Sequence, residues 1–285
     1  MSHDPEMLNS VSDRSELGSL KSTLNTGEGG IPGEVSTNIE RWGAWSSLWL
    51  SLVVLAVFLI FNTVVAVAFL VLHQVQYPNV DFEQNVTWMA SSGLVMAVAS
   101  LVSTFPAIGM IYLFSWMKRR RKPLEYLNLS SVSLRVFAFW IGATITFAIL
   151  SDVLTVLLNK PIVPDVMVTM FETAGSRSLL FLAVVFAAPL FEEALFRGFL
   201  LPGIQSRWGP AWAVVLTAAG WSVLHFQYDL YGILTIFAGG VMLGLARILS
   251  GSTYVTMILH SLWNFIAFVE VAFHVHEGAI LPFGW

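Results

Sequence analysis

Seven long apolar runs, separated by short polar breaks, organise the sequence beyond residue 47. Crossing the hydrocarbon core of a bilayer takes roughly 20 apolar residues in a helix. Residues 48–72 meet that length without a single charge. Residues 84–117 are also charge-free, with their apolar core from 89 to 117. A third run covers 136–151 and continues past Asp152 to 158. Further runs lie at 178–201, 208–228, 230–246 and 248–269, and no internal repeat is visible. The pattern predicts an all-α, polytopic membrane helix bundle of about seven transmembrane helices, within a range of six to eight. A half-inserted or interfacial helix near 203–212 is one source of that range.

Residues 1–40 break the pattern. They are rich in Ser, Gly, Asn, Thr and acids, and they read as a disordered tail. A basic start followed at once by an apolar run would mark a secretory signal, and this stretch has neither. The expected division is a tail over 1–44 and a membrane domain over 45–285.

Composition sharpens the picture. The chain of 285 residues is 56% hydrophobic and only 11% charged, against about 25% charged in a soluble domain. Too few charges exist to cover a water-facing surface, so a soluble globular protein is excluded. The net charge of −4 gives no sign of nucleic-acid binding. It belongs to the tail: residues 1–47 carry seven acids against three bases, and the rest hold eleven of each. There are no cysteines, which rules out disulfides and thiolate catalysis.

Lys and Arg set the expected orientation. Lys118, Arg119, Arg120, Arg121 and Lys122 follow the second run, whereas 74–88 contain neither residue. The segment 118–135 is therefore expected in the cytoplasm with the N-terminus, and the C-terminus outside. Arg135, Arg207 and Arg247 fall inside in this scheme, and Lys160 and Arg177 outside. The basic cluster reads first as a topology determinant and second as a contact for anionic lipid. The expected setting is the plasma membrane of a prokaryote, with membrane lipid as a partner.

The fourth run carries the chemistry. It contains Glu192, Glu193 and Arg197. A charge at the centre of a membrane helix costs about 2.5–3.5 kcal/mol on insertion scales, so such groups face a polar interior and usually work. Glu193 and Arg197 are four apart and share a helix face. Glu192 lies about 100° round the helix from Glu193. That separation suits one structural carboxylate and one free to act as a base, although an ion pair near the helix end explains Glu193 and Arg197 equally well. His225 ends the apolar stretch 214–224, where an interfacial histidine is the plainer reading. His260 and Asn264 are four apart inside the last run, either as functional groups or as an interhelical hydrogen-bonding pair. Asn62 and Asp152 have no patterned partner. Gly240 and Gly244 predict close helix packing, and Pro189 predicts a kink that frees a carbonyl.

Glu-Glu-xxx-Arg, Trp-xxx-His and His-xxx-Asn, in successive hydrophobic helices over about 178–270, resemble the CPBP family of intramembrane proteases. These CAAX-protease and bacteriocin-processing proteins, also called the ABI family, include the type II CAAX prenyl endopeptidases. One departure is visible: Trp221 stands where the family's second motif has Phe, which puts specificity in doubt more than chemistry. The resemblance implies an endopeptidase in which Glu192 activates water and His225 helps to position it. It further implies that His260 and Asn264 stabilise the oxyanion, with Glu193 and Arg197 orienting the site. It implies a membrane-associated or lipidated peptide or protein as substrate. A metal-free glutamate mechanism is favoured, with zinc on Glu192, His225 and His260 as the alternative. Two other classes stay open: a non-catalytic membrane protein of the same fold (immunity, scaffold or regulatory), and a proton-coupled transporter.

Overall fold

The computed structural model describes residues 40–118 and 122–280. The expected tail up to residue 39, and Arg119, Arg120 and Arg121 of the basic cluster, lie outside the described residues. Those described are helical throughout, with no strand among them. Helix α1 (Ala44–Gln76) leads through the short α2 (Phe82–Ser91) into α3 (Gly93–Lys118). The single turn α4 (Pro123–Tyr126) precedes α5 (Leu134–Leu157), and the short α6 (Asp165–Glu172) comes next. Residues 177–200, here α7, run directly into α8 (Leu201–Val223). Helices α9 (Leu230–Ser250) and α10 (Thr253–Ile280) complete the bundle.

Among the described residues six helices are long and apolar enough to cross a membrane, where the apolar runs predicted about seven. The difference lies at 177–223, a continuous helical stretch of 47 residues. At 1.5 Å per residue it would reach about 70 Å if straight, over twice a bilayer's hydrocarbon core. It is not straight. Gly209 adopts φ +79°, a left-handed conformation that glycine enters without steric cost, and Pro210 opens the next segment. The expected fourth and fifth runs are thus two helices joined without a loop. Two boundaries also need correcting. The run 84–117 is broken at Ser92, which separates α2 from α3. The run 208–228 stops at Val223, and 224–229 form a turn.

The outer surface is apolar, as lipid contact requires. Phe105, Leu72, Leu134 and Phe139 are largely exposed, and α1 presents most of its length outward. The main core gathers Phe191, Leu195, Phe199, Trp221, Leu243 and Leu259 from α7, α8, α9 and α10. Gly240 and Gly244 make this packing close: a Cβ on Gly240 would stand 3.1 Å from Ala218 Cβ, and one on Gly244 would stand 2.9 Å from Val214 Cγ1. The predicted small-residue contact is therefore the α8–α9 seam. Turn 224–229 is pinned where Asp229 accepts from Gly232 N–H, capping α9, and from Lys160 Nζ at 2.7 Å. The Lys160 ammonium, helped by that cap, holds the Asp229 carboxyl below its ordinary range. Asp152, without a partner in the sequence pattern, lies beside Glu270 of α10.

Candidate functional site

The acidic pair sits on an irregular helix. Within α7, the α-helical Arg177–Phe181 passes into a π-helical stretch, Leu182–Ala187. The α-helical Ala188–Glu193 comes after it, and then a second π-helical stretch, Ala194–Leu200. Such stretches recur at functional sites because an i→i+5 pattern loosens the ladder and re-aims side chains. Here the cause is local. Ala188 N–H bonds to Ala183 O, five residues back, so position 189 would serve Val184 O. Residue 189 is proline and has no N–H. The orphaned Val184 carbonyl instead accepts from Asn264 Nδ2 of α10 at 2.8 Å. Pro189 does free a carbonyl, and Asn264 is what takes it.

Glu193 and Arg197 are 0% exposed and pair at 2.8 Å through Oε1 and Nη1. Arg197 also donates from Nη2 to Gly240 O at 3.0 Å, where the absence of a side chain lets the α9 backbone approach. Its guanidinium lies 4.8 Å from the Trp221 ring centroid. His260, 3% exposed, directs Nδ1 to Glu193 Oε1 at 3.0 Å. A carboxylate only accepts, so Nδ1 carries the proton and Nε2 is left facing the site. That Nε2 lies 3.9 Å from Glu192 Oε2, beyond a direct hydrogen bond and within reach of a shared water.

Glu192 differs from its neighbour. Its side chain is 21% exposed, and its Oε2 accepts from Trp221 Nε1 at 2.5 Å. The one departure from the resembled motif is therefore the residue that holds the candidate base, since phenylalanine has no N–H to offer. Trp221 also binds the rest of the cluster. Its ring stands edge-on to His260 and to His225, each at 5.1 Å between centroids. His225 lies past the end of α8 and donates from Nδ1 to Trp221 O at 2.9 Å. It reaches the site through Trp221, one helical turn beyond it.

The structure thus brings Glu192, Glu193, Arg197 and His260 into one cluster, attaches His225 through Trp221, and sets Asn264 against the α7 backbone. Sequence reasoning missed the Trp221 hydrogen bond, because residues 29 apart meet only once α7 packs on α8. It also missed Tyr228, in turn 224–229 with His225. Burial, and then the nearby Glu192 carboxylate, push the Tyr228 phenol above its ordinary range, so the O–H stays a donor. Among the described residues no three His, Cys, Asp or Glu side chains form a group able to hold a metal ion. Glu192, His225 and His260, the alternative zinc ligands, do not come together as such a group among the described residues.

Comparison with known proteins falls on the same stretch of chain. Residues 174–266 match a family described as type II CAAX prenyl endopeptidase Rce1-like. A protein of Escherichia coli described as "Uncharacterized 24.3 kDa protein" is 33% identical over 112 residues, 38% of this chain and 46% of that protein. The chain therefore spans under half the length of this curated relative. No solved structure matches the chain.

Proposed function

We propose that this protein is an intramembrane endopeptidase in which Glu192 is the general base, a reading supported by the match of residues 174–266 to the Rce1-like type II CAAX prenyl endopeptidase family. The carrying observation is the contrast within the acidic pair. Glu193 is sealed against Arg197 and His260, while Glu192 is partly open and held by Trp221.

Glu192 Oε2 and His260 Nε2 both accept, so a water between them has each of its hydrogens engaged and a lone pair free for attack. Attack forms the bond from water oxygen to the scissile carbonyl carbon, and one water proton passes to Glu192. The carbonyl oxygen becomes an oxyanion, for which the Tyr228 O–H, near enough to sense the Glu192 charge, is the candidate donor. This departs from the reading from resemblance, which gave that task to His260 and Asn264: here Nε2 of His260 accepts and Asn264 is engaged by Val184 O. Collapse breaks the C–N bond, and Glu192 returns its proton to the leaving amine. Glu193 and Arg197 hold the His260 ring in the tautomer the step needs. No step is routed through a metal.

The substrate class is a membrane-associated or lipidated peptide, because the helices that carry the cluster have apolar outer faces. The test is cleavage of such peptides by purified full-length protein in lipid. Glu192→Gln keeps size and hydrogen bonding while removing the base, and activity should fall by about 10²–10⁴-fold. Equal cleavage by both forms overturns the reading.

A further inference from the structure

A polar-lined cavity lies away from Glu192. It has a volume of about 460 Å³, and Arg41, Asn128, Gln205, Ser206 and Arg247 line it. It lies where α1 begins, α9 ends and the first part of α8 passes. Arg41 bonds there through Nη1 to Tyr126 O at 2.8 Å and through Nη2 to Asn128 Oδ1. Asn128 in turn donates to Gly251 O at 3.1 Å, so the wall is tied to the α9–α10 turn.

Arg247 is the unusual member. An arginine that served only to set topology would snorkel into water. This one is 6% exposed. Its hydrogen bonds run through Nε alone, to Arg197 O at 3.2 Å and Thr253 Oγ1 at 3.0 Å. Among the described residues it has no carboxylate partner, and Nη1 and Nη2 are left for the cavity that it lines. Arg41 lies close enough to repel it, and no carboxylate is among the described residues that line the cavity they share. The buried Arg247 guanidinium is thus uncompensated charge in a low-dielectric setting. Tetrahedral oxyanions match that arrangement, because a guanidinium fork binds them bidentately.

We propose that this cavity is a binding site for a phosphate-bearing anion, held by Arg247 and Arg41 with Asn128, Gln205 and Ser206 as hydrogen-bonding partners. The same chemistry fits an anionic lipid headgroup or free phosphate, and the cavity stands at the basic end where anionic lipid concentrates. The proposal does not depend on proteolysis.

The test uses full-length protein and reads thermal stability. One arm titrates inorganic phosphate into protein in neutral detergent, against sodium chloride of matched ionic strength. The other compares nanodiscs of phosphatidylcholine with nanodiscs that also contain phosphatidylglycerol, without phosphate in the buffer. Wild type should gain stability in at least one arm. A gain with phosphatidylglycerol assigns the site to a lipid headgroup, and a gain with phosphate alone assigns it to the free ion. Arg41→Gln should weaken the apparent affinity about tenfold or more, the worth of one charged hydrogen bond. Because arginine variants risk the fold, Gln205→Glu is the second probe. It places a carboxylate beside the guanidiniums from an exposed position, so the protein should stay folded and lose the response. No gain in either arm overturns the proposal, and so does an undiminished response in folded Arg41→Gln and Gln205→Glu.

Discussion

Two adjacent glutamates have been given opposite surroundings. Glu193 is fixed by an arginine one turn away, a contact the i,i+4 spacing makes plain in the sequence. Glu192 is fixed by Trp221 from another helix, which no spacing rule reveals. The two contacts should respond differently to substitution. Trp221→Phe keeps an aromatic ring beside Arg197 and His260 but removes the N–H together with part of the buried indole. Loss of the N–H should cost about 1.5–3 kcal/mol of positioning, the worth of a hydrogen bond to a charged group. The expected outcome is a kcat about tenfold or more below wild type with KM nearly unchanged, while the smaller ring lowers the melting temperature. A kcat equal to wild type would make Trp221 a packing residue, as its aromatic character alone implied.

At the scale of the element, α7 matters most. Its polar residues were legible in the sequence, because charges are costly within an apolar run and stand out there. Its π-helical shape was not, although Pro189 marked where a carbonyl would be released. The partner of that carbonyl could not be read, since Asn264 lies 80 residues away. Removing Asn264 leaves Val184 O unpaired, and an unsatisfied buried acceptor costs about 1–3 kcal/mol. Asn264→Ala should lower stability by that amount. Pro189→Ala restores an N–H five residues from Val184, so the double variant should recover much of the loss. A double-mutant cycle in thermal or denaturant unfolding reads the coupling. Strict additivity would show that the two positions do not share the carbonyl. The seven runs fared similarly. Their apolar length identified the helices, but one left-handed glycine was enough to join two of them, and turn geometry leaves little mark on hydropathy.

For the whole molecule, the ends differ in charge. At one, Arg41, Lys118, Lys122, Arg135, Arg207 and Arg247 gather around the start of α1 and the close of α9, tied by the contacts of Arg41, Trp42 and Asn128. At the other, Lys160 and Arg177 stand among Asp81, Glu83, Asp165, Glu172 and Asp229. By the positive-inside rule the first end is expected in the cytoplasm. A chain without cysteine makes this simple to test. A thiol introduced as Gln84→Cys should react with an impermeant maleimide added to intact cells, and Lys122→Cys should react only after permeabilisation. The reverse pattern would invert the molecule and place the anion cavity on the outer face.

An i→i+5 turn holds one residue more than an i→i+4 turn. Each π-helical stretch of α7 is therefore a spare residue folded into the helix without changing the direction of the turns beyond it. Deleting one position within 182–187 should let the stretch relax to ordinary helix and leave Glu192 aimed as before. The same deletion between 188 and 191 has no slack to absorb it and swings the acid pair by about 100°. Whether α7 tolerates the loss of a residue thus depends on which turn loses it, and the site is spared only upstream of Pro189.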